Sequence, residues 1–265
     1  MPELPEVETT VQGLRNKVLN RTFVDVWTDW EKQIKKPSFS IFKRTIKGKK
    51  INNIWRRGKN IVFDLSDDYS LLIHQKMTGH LLYGNWKKEK VNEYIHLKFF
   101  LDKGVLVLSD LRKFAKVELW KTKDLLKYLD SLGPEPLEIN FKEFKLKKGK
   151  IKQVLMNQNV IAGIGNIYSD EILWESKINP FKDASQLTDK ELKLIFNNTK
   201  KVLKKAVRLK GTSISDYRDV QGEKGFFGKE RKAYQRDKCQ RCNFPISREK
   251  IGGRTASFCP KCQKI

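Results

Sequence analysis

Every cysteine of the chain falls in one short module near its end, with the spacing Cys239-x2-Cys242-x16-Cys259-x2-Cys262. Two Cys-x-x-Cys knuckles at this separation suit four thiolates around one tetrahedral zinc ion, with no position left open for catalysis. So short a segment cannot bury a core alone, and the metal would supply its folding energy. Two redox pairs, or thiols without a metal, are the other use of the pattern. In a reducing compartment the clustering favours zinc. The module is expected to be a metal-pinned hairpin.

The rest of the 265 residues divides by periodicity. Leu4, Val7, Val11, Leu14 and Val18 recur at three- and four-residue steps, which predicts a helix over residues 3–18. Pro2 then stands at a helix start, where proline is tolerated, and Glu3, Glu6 and Glu8 suit the positive end of the helix dipole. Runs at 23–27, 51–55, 60–65, 70–74, 94–101, 105–109 and 116–120 are short and rich in β-branched and aromatic residues. Turn formers such as Asp67-Asp68 and Gly84-Asn85 separate them. This spacing predicts an antiparallel sandwich of about eight strands with the first helix packed beside it. After Gly133-Pro134-Glu135-Pro136 the pattern turns helical. Thr188 and Glu191 form a capping box, and Leu192, Ile195, Val202, Leu203, Ala206 and Leu209 continue one apolar face. Residues 211–235 are polar and glycine-rich, with little periodicity, and read as a mobile loop. There is no internal repeat. The fold class is α+β, in three parts: 1–132, 133–236 and 237–265.

Lys and Arg total 55 against 31 Asp and Glu, a formal charge of +24. That excess favours a polyanionic partner through release of counterions from phosphates, although a lysine-rich solvated surface would have the same composition. The opening Met1-Pro-Glu-Leu-Pro-Glu contains neither a basic nor an apolar leader region. No apolar run nears the ~18 residues needed to cross a bilayer, so a soluble, cytoplasmic protein without membrane contact is expected. Between two apolar helical stretches, at 151–157 and 167–176, lies Gly163-Ile-Gly165-Asn166. Glycines at such a junction allow close approach to phosphate, yet a tight turn between packed helices needs them equally. Removal of Met1 would expose Pro2 as a secondary amine able to attack a sugar C1′, with Glu3 beside it for proton transfer. On the residues alone the plainer reading, an ordinary helix start, is preferred.

These segments, in order, resemble one family. Met-Pro-Glu-Leu-Pro-Glu-Val-Glu-Thr at 1–9, Arg56-Arg-Gly-Lys59, His74-Gln-Lys-Met77-Thr-Gly79, Asp110-Leu-Arg112-Lys-Phe114, Leu132-Gly-Pro-Glu-Pro136, Gly163-Ile-Gly-Asn-Ile-Tyr168 and the four-cysteine module are similar to motifs of the formamidopyrimidine-DNA glycosylases. Each motif is weak alone, and their shared order over essentially the whole chain is specific. The resemblance implies a bacterial base-excision enzyme that removes 8-oxoguanine and formamidopyrimidines, then cuts the strand by β- and δ-elimination. It implies a helix–two-turn–helix element in the helical part.

By the same resemblance Pro2 is the nucleophile, Glu3 the proton donor, Glu6 a supporting acid, Lys59 a second acid–base, and Arg254 the catalytic finger arginine that binds phosphates around the lesion and assists δ-elimination. Met77, Arg112 and Phe114 match the residues that fill the place of an extruded base, a step that costs a few kcal/mol of stacking and pairing. His74, Asn92, Lys147, Lys152, Asn166 and Tyr168 fall at DNA-contacting positions, and 217–235 at a loop that closes over the damaged base. Two departures stand out. Asn92 occupies the place of a usual phosphate-binding histidine, and Leu111-Arg112-Lys113-Phe114-Ala115 replaces Pro-Arg-Arg-Phe-Gly. Cys239, Cys242, Cys259 and Cys262 would hold one structural zinc, with no catalytic cofactor. The partner would be duplex DNA carrying an oxidised purine or abasic site, lying between the two main parts, with the protein a monomer. Two rivals remain: an endonuclease VIII-like enzyme acting on oxidised pyrimidines, and a zinc-ribbon DNA-binding protein without catalysis.

Overall fold

A computed structural model describes the chain apart from Lys145, Lys147, Ser215 and Ile265. The expected DNA contact Lys147 therefore lies outside the described residues. The chain forms two compact units, Met1–Asp130 with Leu209–Gly228, and Ser131–Arg208 with Lys229–Ile265.

The first unit opens with α1 (Leu4–Val18). Leu4, Val7, Val11, Leu14 and Val18 are each no more than 1% exposed, as their spacing requires. Pro5, not Pro2, lies in the first helical turn, so Pro2 sits ahead of the helix, with Glu3 at the N-cap. A four-stranded sheet runs β1–β7–β8–β6, from β1 (Phe23–Thr28), β6 (His80–Tyr83), β7 (Ile95–Leu101) and β8 (Val105–Ser109). A five-stranded sheet runs β2–β9–β5–β4–β3, from β2 (Ile34–Lys36), β3 (Ile51–Arg57), β4 (Asn60–Leu65), β5 (Tyr69–His74) and β9 (Lys116–Lys121). Phe23, Phe63, Leu71, Phe99 and Leu108 fill the core, and α1 contributes Val7, Val11 and Leu14 to the same cluster. One pairing departs from the expected antiparallel pattern: β2 runs parallel to β9. Strand β2 is three residues long and contains two lysines, so no alternation marked it. Two short helices complete the unit: α2 (Phe39–Ile46) connects β2 to β3, and α3 (Thr122–Leu129) follows β9.

The second unit holds α4 (Ile151–Met156), α5 (Asn166–Ser176), α6 (Asp189–Arg208) and a hairpin of β10 (Ser247–Ile251) and β11 (Arg254–Phe258). The capping box ahead of α6 forms as read. The Thr188 N–H donates to Glu191 Oε2 at 2.9 Å and the Glu191 N–H to Thr188 Oγ1 at 3.3 Å.

The stretch read as a mobile loop is packed along Leu209–Gly228. Tyr217 and Val220 are buried, Val220 within the sandwich core, and Arg218 and Asp219 are only 4% exposed. These anchors belong to neither helix nor strand, so they have no period by which to be recognised. Gly211 shows how close the packing is. Its φ is +76°, and a Cβ there would stand 2.6 Å from Glu6 Oε1. Gly211→Ala is expected to destabilise the protein by about 1–3 kcal/mol, seen as a lower urea midpoint. An unchanged midpoint would mean that this segment does not dock on α1.

Candidate functional site

The chain start is buried on its acid side. Met1 is 47% exposed, whereas Glu3 and Glu6 are 2% and 1% exposed. Glu6 bridges two backbone donors, the Glu3 N–H at 2.8 Å through Oε2 and the Thr212 N–H at 2.6 Å through Oε1. In the same unit β3 and β4 join through a two-residue turn, Gly58 at φ +57° and Lys59, closed by the Arg57–Asn60 pair. Arg56 braces this turn, with Nε 2.8 Å from Glu8 Oε2 and Nη1 donating to the Gly58 carbonyl at 3.1 Å. The backbone thereby carries Lys59 into a buried position.

At the end of β5, His74 Nδ1 accepts the Lys76 N–H at 2.9 Å. Burial pushes the His74 pKa down to about 3, and the charges of Lys76, Lys59 and Lys116 act in the same direction. Three lysines around one neutral ring make a field that an incoming phosphate would relieve.

Met77, Arg112 and Phe114, distant in sequence, come together at the surface. Met77 and Phe114 are 43% and 48% exposed. Arg112 Nη1 lies 3.2 Å from Met77 Sδ, and its guanidinium stands 4.6 Å from the Phe114 ring centroid. Asp110, fully buried, shapes this loop. It accepts the Thr78 hydroxyl, and the Ala115 N–H at 2.7 Å, while Thr78 Oγ1 accepts the Arg112 N–H at 3.1 Å. The motif reading used Asp110 only as a landmark. Leu111, named in the sequence only as a departure from the family motif, is 46% exposed at the same loop. An exposed Leu next to a shaped Arg–Phe pair could be noticed only once the loop was seen.

Asn92 behaves differently from the DNA contact expected of it. It is 1% exposed, its Oδ1 lies 2.8 Å from His80 Nε2, and its Nδ2 donates to the carbonyls of Lys87 at 2.6 Å and Gly222 at 3.3 Å. In this structure its amide ties two loops together and is turned away from solvent.

In the second unit the same inversion recurs. Lys152, expected to reach DNA, is fully buried. Its Nζ lies 2.5 Å from Asp170 Oδ1 and also donates to Ser169 Oγ at 3.2 Å. Burial pushes Asp170 up to about 7 against the pull of Lys152, and Oδ2 accepts the Ser257 N–H at 3.0 Å. Tyr168 is likewise in the core, at 0% exposure. Asn166 does stand at the start of α5, after Gly165, with a buried Oδ1 that has no hydrogen-bond partner among the described residues. Arg254 is exposed beside the Gly252–Gly253 turn of the β10–β11 hairpin, whose glycines have φ of +53° and +73°. The turn lies against a side chain of α4, and a Cβ at Gly252 would meet Gln153 Nε2 at 2.0 Å.

The sulfur atoms of Cys239, Cys242, Cys259 and Cys262 all lie within 4.8 Å of one another. Zinc–sulfur bonds of ~2.3 Å set tetrahedron edges of roughly 3.8 Å. The Cys242–Cys259, Cys242–Cys262 and Cys239–Cys262 separations of 3.5, 3.4 and 4.0 Å fit that cage. Around it, the Cys259 N–H donates to Gln263 Oε1 at 2.9 Å and Gln263 Nε2 donates to the Ile178 carbonyl at 2.8 Å, which orients the second knuckle.

A helix-led sandwich with a cationic site, a helical hairpin and a four-thiolate finger define a zinc-finger protein of the DNA-glycosylase class. Family models describe residues 1–117 as the formamidopyrimidine-DNA glycosylase N-terminal domain, 132–218 as its H2TH domain, and 236–265 as a zinc finger found in FPG and IleRS. The formamidopyrimidine-DNA glycosylase of Ligilactobacillus salivarius is 40% identical over 276 residues, covering 100% of this chain and 99% of the relative. A mutant Lactococcus lactis FPG in complex with a Fapy-dG containing DNA superposes with a TM-score of 0.91 at 34% identity, covering both chains fully. The wild-type Lactococcus lactis protein with an oxidised-pyrimidine containing DNA gives 0.89 at 33% identity, again over both full chains. This chain belongs to the formamidopyrimidine-DNA glycosylase family, and its finger is a structural zinc site.

Two outcomes follow from this geometry. Cys259→Ser is expected to abolish zinc retention, measured as metal per chain after dialysis, and to expose the finger to limited proteolysis. A protease-resistant finger without zinc would refute the metal's structural role. The second concerns acid stability. A histidine whose folded pKa lies below its ordinary 6.5 stabilises the fold above that pH and loses the contribution as pH falls toward 3. His74→Asn should therefore reduce the loss of stability between pH 7 and pH 4.5 by about 2 kcal/mol in urea titrations. Parallel pH curves for the two proteins would contradict it.

Proposed function

We propose that this protein is a base-excision-repair glycosylase and abasic-site lyase acting on oxidised purines in duplex DNA, with the Pro2 amine as nucleophile. The reading rests on one observation above others. A single unit holds a chain start flanked by two buried carboxyl side chains together with the exposed Met77–Arg112–Phe114 cluster. The first offers chemistry, and the second offers apolar and hydrogen-bonding groups that can occupy the gap left by a flipped base.

Once Met1 is removed, Pro2 is a secondary amine; its attack on C1′ breaks the bond to the damaged base, which departs with a proton, and leaves a closed-ring aminal that becomes a cationic iminium when the C1′–O4′ bond opens. Glu3 supplies the proton that opens the sugar ring. The iminium acidifies the C2′–H, so a base removes that proton and the C3′–O bond breaks, expelling the 3′ phosphate; loss of a C4′ proton then breaks the C5′–O bond and expels the 5′ phosphate, and water hydrolyses the unsaturated sugar iminium to free Pro2. The products are a one-nucleotide gap with phosphate at both ends. Lys59 serves as a further acid–base, with His74 and the lysines around it holding phosphate. Arg254 and Asn166 hold the backbone from the second unit, and Arg112 faces the orphaned base, with cytosine its best partner. Asn92, Lys152 and Tyr168 act indirectly, by keeping loops and the helical hairpin in place. Residues 1–132 carry the chemistry, 133–236 the helical DNA contacts and the base-covering loop, and 237–265 the finger. The protein acts as a cytoplasmic monomer, and among the described residues no helix is long and apolar enough to cross a membrane.

A second reading, preference for oxidised pyrimidines, draws support from the neighbouring structure that holds such a DNA. The Met77–Arg112–Phe114 set favours the purine substrate. A duplex with 8-oxoguanine opposite cytosine should be cleaved faster than one with thymine glycol, and the reverse order would establish the second reading. Borohydride added during the reaction should leave a covalent protein–DNA adduct. A short N-terminal extension that acylates Pro2 should abolish the adduct while leaving DNA binding within about threefold. Binding without any adduct from correctly processed protein would reduce the molecule to a DNA-binding module.

A further inference from the structure

One face of α1 is matched, turn by turn, to the segment Leu209–Gly228. At its start the Glu6 carboxylate accepts the Thr212 N–H and the Glu3 N–H through different oxygens. The Tyr217 hydroxyl donates to the Glu6 carbonyl oxygen at 3.0 Å. Two turns on, Val220 seats against Gly13, where a Cβ would come within 2.6 Å of Val220 Cγ2. The segment is fastened on its far side as well. The buried Arg218 Nε lies 2.6 Å from Oε2 of the partly buried Glu89, and the Tyr83 N–H donates to the Val220 carbonyl at 3.1 Å. Burial, with the Glu6 charge behind it, pushes Tyr217 well above the ordinary phenol range, so its O–H remains a donor under working conditions.

We infer that Tyr217 is a positioning residue for the Pro2 amine, acting through Glu6. Its hydroxyl and the Thr212 N–H tie the first turn of α1, and with it Glu3 and Pro2, to a segment anchored elsewhere in the unit. The inference rests on the proposed Pro2 chemistry. A nucleophile must be held to a fraction of an ångström, and a displacement of about 1 Å costs up to ~100-fold in rate. The amine lies only four residues before Glu6, so a loosened first turn moves it directly. The segment therefore bears on the reaction even on a substrate with no base for it to touch.

Tyr217→Phe removes only the hydroxyl. Thr10 Oγ1 still donates to the Glu6 carbonyl at 3.0 Å, so no acceptor is stranded. The assay is single-turnover borohydride trapping on a duplex with a natural abasic site, beside Kd for a tetrahydrofuran-abasic duplex. Trapping by Tyr217→Phe should slow by about tenfold with Kd unchanged. Val220→Ala, which loosens the same docking without touching a polar group, should slow trapping in the same direction. Wild-type trapping rates in both variants would overturn the inference, as would a Kd weakened in proportion to the lost rate. Failure of the wild-type protein to trap at all would instead remove the Pro2 reading on which this one stands.

Discussion

The Glu6 carboxylate is the constraint on which the proposed active end of this molecule depends. It is almost wholly buried, and it joins the N–H of Glu3 to that of Thr212, more than two hundred residues away. A buried carboxylate without donors would be costly, and with two charge-assisted hydrogen bonds it becomes a fixed point. Because one of those donors is at the N-cap of α1, the position of the chain's first residues is set by the packing of a segment that follows the last long helix. Gly211 permits the approach, since any side chain there would collide with the carboxylate.

The second unit uses carboxylates in the same way. Asp170 and Glu171 are neighbours on α5, and both are buried. Asp170 receives Lys152 and the Ser257 N–H. Glu171 accepts the N–H groups of Lys232, Ala233 and Tyr234 at 2.7, 3.0 and 2.9 Å. One helix thus holds both the turn segment leading into the finger and the finger's own hairpin. Removing one member of the Lys152–Asp170 pair would leave a stranded buried charge, a loss of about 3–5 kcal/mol. Zinc fixes the finger internally, and these carboxylates fix its surroundings.

What could be read from the residues followed from periodicity and spacing. The α1 stripe, the cysteine module, the Thr188–Glu191 capping box and most strands of the sandwich announce themselves locally. Where spacing carried no information, burial had to decide, and it reversed several expectations. Lys152, Tyr168 and Asn92 were expected at DNA-contacting positions and are buried, whereas Met77 and Phe114, apolar by type, are exposed. A motif identifies which residue occupies a position but not which way its side chain turns, since that depends on partners such as Asp170 and Gly222 far away in sequence. The segment after α6 was opaque for the same reason. Its anchors, Tyr217 and Val220, are single side chains inserted into a core made by other strands.

The account's central claim is that the covalent bond to sugar forms at the imino nitrogen of residue 2, with Lys59 and the other nearby amines serving only as acids, bases or phosphate ligands. Proteolysis of the borohydride-reduced adduct, followed by fragment sequencing in a mass spectrometer, tests it directly. The deoxyribose remnant should reside on the peptide that begins with Pro2, on the proline nitrogen itself. A remnant carried by Lys59, or by any other lysine, would contradict the account.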